Sequence, residues 1–134
     1  MKKAVSTDKA PQAIGPYSQA VQVGECVFVS GQLGLSPKGE LVSDEVTEQA
    51  RQALENISAI LRAAGLTMEH VVQVTIFLTD LREFPAVNEV YAQYFKPPYP
   101  ARCCVGVSAL PRGGKVEIAA VAYVPREKSE TVAE

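Results

Sequence analysis

The chain has no tryptophan and a single histidine, His70, in 134 residues. A histidine-based catalytic triad lacks its base, and no CxxC or HExxH spacing offers a zinc ion its ligands. Cysteine is equally sparse. Cys26, Cys103 and Cys104 are an odd number with two adjacent, which argues against a disulfide framework and for a reducing compartment. No run approaches the roughly 18 consecutive apolar residues of a membrane span, and the opening MKKAVSTDKAPQ lacks the apolar core of a signal peptide. A cytoplasmic location without membrane association is expected. An excess of one charge sign is missing too: 13 basic against 15 acidic side chains leave a net charge of -2. Nucleic acid is therefore not an expected partner, because long-range attraction to a phosphate backbone needs a basic surplus. With 47% hydrophobic and 21% charged residues, 1–134 reads as one globular domain ending in a charged tail over 126–134.

What is present is a run of clear element signals. In Gln19 to Ser30, QAVQVGECVFVS, two β-branched runs flank Gly24-Glu25, a pair suited to a two-residue hairpin turn with glycine first. A loop is expected next, through Gly31, Gly34, Pro37 and Gly39. Val46, Ala50, Ala53, Leu54, Ile57, Ile60, Leu61 and Ala64 then recur at helical spacing, with Gly65 placed to stop the helix. Val71 to Leu78, VVQVTIFL, reads as a strand. A second helix is expected after Asp80, capped by it and by Glu83 in a capping box, with Phe84, Val87, Tyr91 and Tyr94 or Phe95 inward. Pro97, Pro98 and Pro100 end it. Ala101 to Val107 and Val116 to Val124 complete the strands. The order predicts an α+β fold in which a mixed sheet is backed by two helices. An apolar outer face would be buried by subunit association.

Two charged residues stand out inside apolar strands. Arg102 in PARCCVGV shares a strand face with Cys104 and Gly106 and is open to two readings, an edge-strand arginine paired with a carboxylate or a planar clamp for a substrate carboxylate. Glu117 in VEIAAVAYV is either a general acid or base with a pKa raised by burial, or the salt-bridge partner of Arg102. Cys104 lies beside a cation that favours its thiolate, yet free cysteines are common small core residues. Cys26 and Cys103 read as packing, and His70 as a surface residue at a junction. The loops AIGPYSQA and SGQLG carry neither phosphate-binding fingerprint. Ser30 and Gly31 still offer a hydroxyl and an N–H, Tyr17 either closes a pocket or plugs a loop, and Asn88 either ties backbone groups or meets a ligand.

Taken in order, AIGPYSQA at 13–20, VSGQLG at 29–34, LRAAG at 61–65, VTIFLTDLREFPAVNEVYAQYF at 74–95, PARCCVGVSALPRG at 100–113 and KVEIAAVA at 115–122 resemble the RidA (YjgF/YER057c/UK114) family across residues 5 to 124. The resemblance implies a chorismate-mutase-like homotrimer with clefts between subunits. It also implies hydrolysis of 2-imino and 2-enamino acids, such as 2-aminoacrylate and 2-iminobutanoate, to 2-oxo acids and ammonia. No metal or cofactor is implied, because the iminium carbon is already electrophilic. By motif, the carboxylate-binding arginine falls on Arg102 and the water-positioning glutamate on Glu117. The remaining pocket positions fall on Tyr17, Ser30, Gly31, Asn88 and Cys104. One departure is Glu117-Ile118-Ala119, where many deaminase members read EIE. An endoribonuclease or translation inhibitor, and a non-catalytic metabolite-responsive binding protein, are the alternative functions.

Overall fold

A computed structural model describes residues 1–124. The charged tail expected over 126–134 lies outside the described residues. Six strands form one sheet in the order β1-β2-β3-β6-β4-β5. They are β1 (Lys2–Val5), β2 (Ala20–Val23), β3 (Cys26–Leu33), β4 (Val71–Leu78), β5 (Ala101–Gly106) and β6 (Val116–Tyr123). Helices α1 (Val46–Ala63) and α2 (Phe84–Tyr91) complete the chain order, and α1 packs on β3, β6 and α2. The pairings are antiparallel except β4 with β5, whose crossover through α2 brings two parallel strands side by side. The expected mixed α+β sheet with two helices is thus observed. Among the described residues no helix is long and apolar enough to cross a membrane.

Gly24-Glu25 makes the predicted hairpin turn, with Gly24 at φ 57° and Val23 opposite Cys26. Helix α1 ends as the sequence indicates. Gly65 stands at φ 81°, the Leu66 N–H donates to the Leu61 carbonyl at 2.8 Å, and the Gly65 N–H donates to Arg62 at 2.9 Å. This is a Schellman closure, with buried Leu61 and Leu66 as its apolar pair. Ala50, Ala53, Leu54, Ile57, Ile60 and Leu61 are buried on one face of α1, which packs on β3 and β6. Two buried polar residues on α1 are satisfied by neighbouring backbone. Asn56 donates to the carbonyls of Leu33 and Leu35, while Gln49 donates to Ser43 and accepts from the Lys115 N–H. The Asn56 bonds lock the end of β3 to the helix, and those of Gln49 tie in the segments before α1 and β6. At Gly34 the approach is so close that a Cβ would meet Gln49 Cα at 2.5 Å.

Three expectations need correction. A first strand, Lys2–Val5, precedes the expected hairpin and begins ahead of the residues that carry the family resemblance; it eluded the pattern because only Val5 of its four residues is buried. Strand β3 continues past Ser30 to Leu33, where a loop was expected. The capping box expected at Asp80 and Glu83 does not form. Asp80 caps a 3-10 turn, Leu81–Glu83, by accepting from the Arg82 N–H, and its carboxylate also takes the Arg82 guanidinium. The reciprocal cap lies instead at Thr67 and His70, where His70 Nδ1 accepts from the Thr67 N–H at 3.0 Å.

The sheet has two unlike faces. Along β6, Val116, Ile118, Ala120 and Ala122 are buried under the helices, while Glu117, Ala119, Val121 and Tyr123 point the other way. The second face carries Val23, Phe28, Val105 and Tyr123, all more than a third exposed. These exposed apolar side chains all lie on the face away from the helices, with Val23, Phe28 and Tyr123 toward one end of the sheet and Val105 toward the other.

Candidate functional site

Strand β3 meets β6 with an irregular register: Val29 pairs with Ala120 and Gln32 with Ile118, so Ser30 and Gly31 together oppose the single residue Ala119. This is a β-bulge, a device that re-aims side chains beside binding sites. The bulge turns Ser30 and Gly31 toward a cleft of about 780 Å³ that also contains Tyr17 and Glu117. Ser30 is itself held, its N–H donating to the Gln19 carbonyl at 2.9 Å and its Oγ to the Ser18 carbonyl at 2.7 Å. Tyr17, half-exposed, sits on the loop that these bonds anchor.

Glu117 pairs across the sheet with Leu33 on one side and Phe77 on the other. No hydrogen bond or ion pair reaches its carboxylate from the described residues. Burial alone pushes its pKa above the ordinary carboxylate range. Its space comes from Gly31, where a Cβ would overlap the Glu117 carboxylate. Gly31→Ala therefore displaces the carboxylate and not the backbone. The expected result is about a tenfold to hundredfold loss of activity, with an unfolding midpoint within about 5 °C of the parent by calorimetry.

Arg102 lies elsewhere. Strand β5 is an edge strand, and Arg102 pairs with Val74, which places it on the helix side of the sheet. There its Nη1 donates to Asn88 Oδ1 at 2.7 Å. The guanidinium carbon stands 5.0 Å from the Phe84 ring centre and 4.8 Å from that of Tyr91. Asn88, Tyr91, Tyr99 and Arg102 border a hollow of about 420 Å³. Asn88 therefore uses its amide oxygen to hold the arginine at the edge of this hollow.

The predicted residues thus fall into two half-sites on one chain. Tyr17, Ser30, Gly31 and Glu117 share the cleft, while Arg102 and Asn88 share the hollow. The salt bridge between Arg102 and Glu117 is not formed, because the two side chains leave opposite faces of the sheet with β4 between their strands.

Cys104 is partly buried against the core beneath Arg102. Burial raises its thiol pKa, while the Arg102 cation pulls it the other way as expected. Cys103, read from sequence as packing, is exposed on the opposite face. Ala119 faces the bulge and pairs with Thr75, so the departure from EIE falls beside the cleft.

Several residues near these half-sites escaped the sequence reading. Gln19 is buried and ties loop 7–11 through bonds to Thr7, Ala10 and Pro11. Arg112, at φ 61°, borders the cleft and donates to the Gly39 carbonyl at 2.7 Å. Both lie inside motifs of the family resemblance, but neither shows a charge anomaly within a strand.

Comparison with known proteins agrees with this arrangement of motifs. The family model described as endoribonuclease L-PSP matches residues 7–124. A Capra hircus protein named 2-iminobutanoate/2-iminopropanoate deaminase is 53% identical over 123 residues, covering 91% of this chain and 90% of its own. The crystal structure of a Thermotoga maritima protein described as a putative endoribonuclease superposes with TM-score 0.90 at 50% identity, over 94% of this chain and 100% of that one. E. coli TdcF with bound serine superposes with TM-score 0.86 at 46% identity, over 92% and 99% of the two chains. With its family model spanning β2 through β6 and both half-sites, and relatives of half-identical sequence along nearly the full chain, the protein belongs to the endoribonuclease L-PSP family, the RidA/YjgF family.

Proposed function

We propose that this protein is a deaminase of 2-imino acids, with each active site assembled from the two half-sites of neighbouring copies in a homotrimer. The observation that carries the reading is the pairing of two unsatisfied, opposite chemistries. Arg102 retains guanidinium donors beyond the one given to Asn88, and Glu117 keeps a partnerless carboxylate in a cleft. A small molecule with a carboxylate at one end and a hydrolysable C=N bond beside it answers both. The goat relative's name gives the same substrate class, and the serine in E. coli TdcF likewise carries a carboxylate next to a nitrogen-bearing carbon.

In this mechanism an enamine substrate first tautomerises to the imine. Arg102, with the Gly31 N–H, binds the carboxylate and presents the imine carbon to a water beside Glu117. Glu117 accepts a proton as the water oxygen bonds to that carbon, and the C=N electron pair moves onto nitrogen. Glu117 returns that proton to nitrogen and then relays the adduct's hydroxyl proton to it as the C–N bond breaks, so that ammonia and a 2-oxo acid leave. The raised pKa of Glu117 suits both halves of this proton cycle. Tyr17 closes the cleft, Ser30 shapes the bulge that presents Gly31, and Cys104 shapes the floor beneath the guanidinium without a covalent step. The exposed apolar face of the sheet supplies the surface through which copies meet.

The test couples a threonine dehydratase to the purified protein and traps remaining 2-iminobutanoate with semicarbazide. Dose-dependent loss of trapped imine is the expected result. No acceleration by folded protein, with either 2-iminobutanoate or 2-aminoacrylate, overturns the deaminase and leaves a metabolite-binding protein. RNA cleavage that survives repurification and loss of Arg102 would place a nuclease activity at another site.

A further inference from the structure

Resting on the carboxylate-clamp reading of Arg102, we infer that Phe84 and Tyr91 are positioning residues that hold its guanidinium ready for the substrate between two aromatic rings. The sequence places Phe84, Asn88 and Tyr91 at i, i+4 and i+7 on α2, one stripe along the helix. The outer two are two turns apart, about 10.5 Å along the axis. The guanidinium carbon lies 5.0 Å from one ring centre and 4.8 Å from the other, so it occupies the gap between them. Asn88, from the intervening turn, takes Nη1 at 2.7 Å. The rings limit where the cation sits along the helix, and the amide limits its rotation.

These restraints matter because Arg102 is exposed on an edge strand, where a long side chain otherwise samples many rotamers. A guanidinium already stacked and hydrogen-bonded loses less freedom when a carboxylate arrives. With Nη1 engaged by Asn88, the Nε and Nη2 edge is the remaining fork for two parallel hydrogen bonds to the substrate.

Tyr91 contributes through its ring. Its buried hydroxyl has no partner in full hydrogen-bonding geometry but faces the Arg102 guanidinium. Burial raises its pKa while the Arg102 cation pulls the other way. The ring also stacks on Phe95, with centroids 4.6 Å apart. Phe84 is less buried and packs at the margin of the core, so its replacement is the cleaner probe.

The test measures KM and kcat for 2-iminobutanoate, and the Kd of its 2-oxo acid product by calorimetry. Phe84→Leu is expected to raise KM and product Kd about fivefold, with kcat within about twofold of the parent. Tyr91→Leu should act in the same direction. Unchanged KM and Kd in both leucine variants, with product binding lost in Arg102→Ala, overturn the aromatic clamp and spare the arginine's own role. A fall in kcat alone, with KM and Kd unchanged, marks a merely structural effect and also overturns it. Binding retained in Arg102→Ala is a different failure, that of the deaminase reading on which the clamp rests.

Discussion

Arg102→Ala is expected to lower kcat/KM for 2-iminobutanoate by about a hundredfold to a thousandfold, or about 2.7–4 kcal/mol of transition-state stabilisation. The magnitude follows from two charge-assisted hydrogen bonds, each worth about 1.5–3 kcal/mol, partly replaced by water in the variant. Stability should move by less than about 1 kcal/mol, because the side chain is exposed and its losses are one hydrogen bond to Asn88 and two ring contacts. Circular dichroism and thermal unfolding check that the fold is intact. A variant that deaminates normally would remove Arg102 from the site.

The same variant reports on the division of the site between copies. Arg102 and Glu117 leave opposite faces of one sheet, so a shared site has to take them from different chains. Arg102→Ala and Glu117→Ala proteins are each inactive in that arrangement. When the two are unfolded, mixed in equal amounts and refolded together, about a quarter of the interfaces combine an intact arginine half with an intact glutamate half. Activity near one quarter of the parent is the expected outcome. A mixture as inactive as its components would show that the site does not span two chains.

Glu117→Gln carries the second large effect. The amide keeps the shape of the carboxylate but cannot accept the water's proton, and loss of a general base typically costs about a hundredfold to ten-thousandfold in rate. In the parent, the acid limb of kcat/KM should fall above the ordinary glutamate pKa of about 4.3, because burial holds the folded-state pKa higher. That limb should vanish in whatever activity the glutamine variant retains.

Stability moves oppositely. A carboxyl group whose folded pKa exceeds its unfolded value binds more protons in the folded state, so its contribution is lost as pH rises through the interval between the two values. At neutral pH the parent therefore bears a charge that the cleft disfavours and no partner offsets. Glu117→Gln should unfold at a higher temperature than the parent near pH 7 and at the same temperature well below pH 4. A lower midpoint at neutral pH would mean that Glu117 gains a stabilising partner in the assembled protein. A site that holds a destabilising charge for chemistry is a recognised compromise between stability and activity.

Much of the fold was legible because its signals are local. Gly24-Glu25 names its own turn, VVQVTIFL is β4 to the residue, and the apolar period ending at Gly65 is α1. Errors arose where the decisive partner is distant or the pattern unusual. Ser30 and Gly31 looked like the start of a loop, yet β6 pairs with residues beyond them and makes the pair a bulge. An isolated glycine within a strand pattern is the signal that could have revealed it. At Asp80 the expected reciprocal cap was displaced by Arg82, which takes both carboxylate oxygens. At Thr67 an imidazole performed the role usually assigned to Glu or Gln, so the motif pattern missed it.

The chemical identity of the site was carried by the chain itself: an arginine and a glutamate each isolated in an apolar strand, and glycines where bulk would intrude. Strand periodicity also established that Arg102 shares a face with Cys104, because successive side chains alternate whatever the neighbours are. Which face that is was decided only by the tertiary structure. Face assignment depends on register with another strand, and a shift of one residue would reverse it. Pairing through β4 puts Arg102 under α2 and Glu117 on the opposite side. Two residues that composition suggested as partners within one chain were thereby separated, because the hydrogen-bond ladder sets the geometry and leaves each charge facing outward toward whatever completes it.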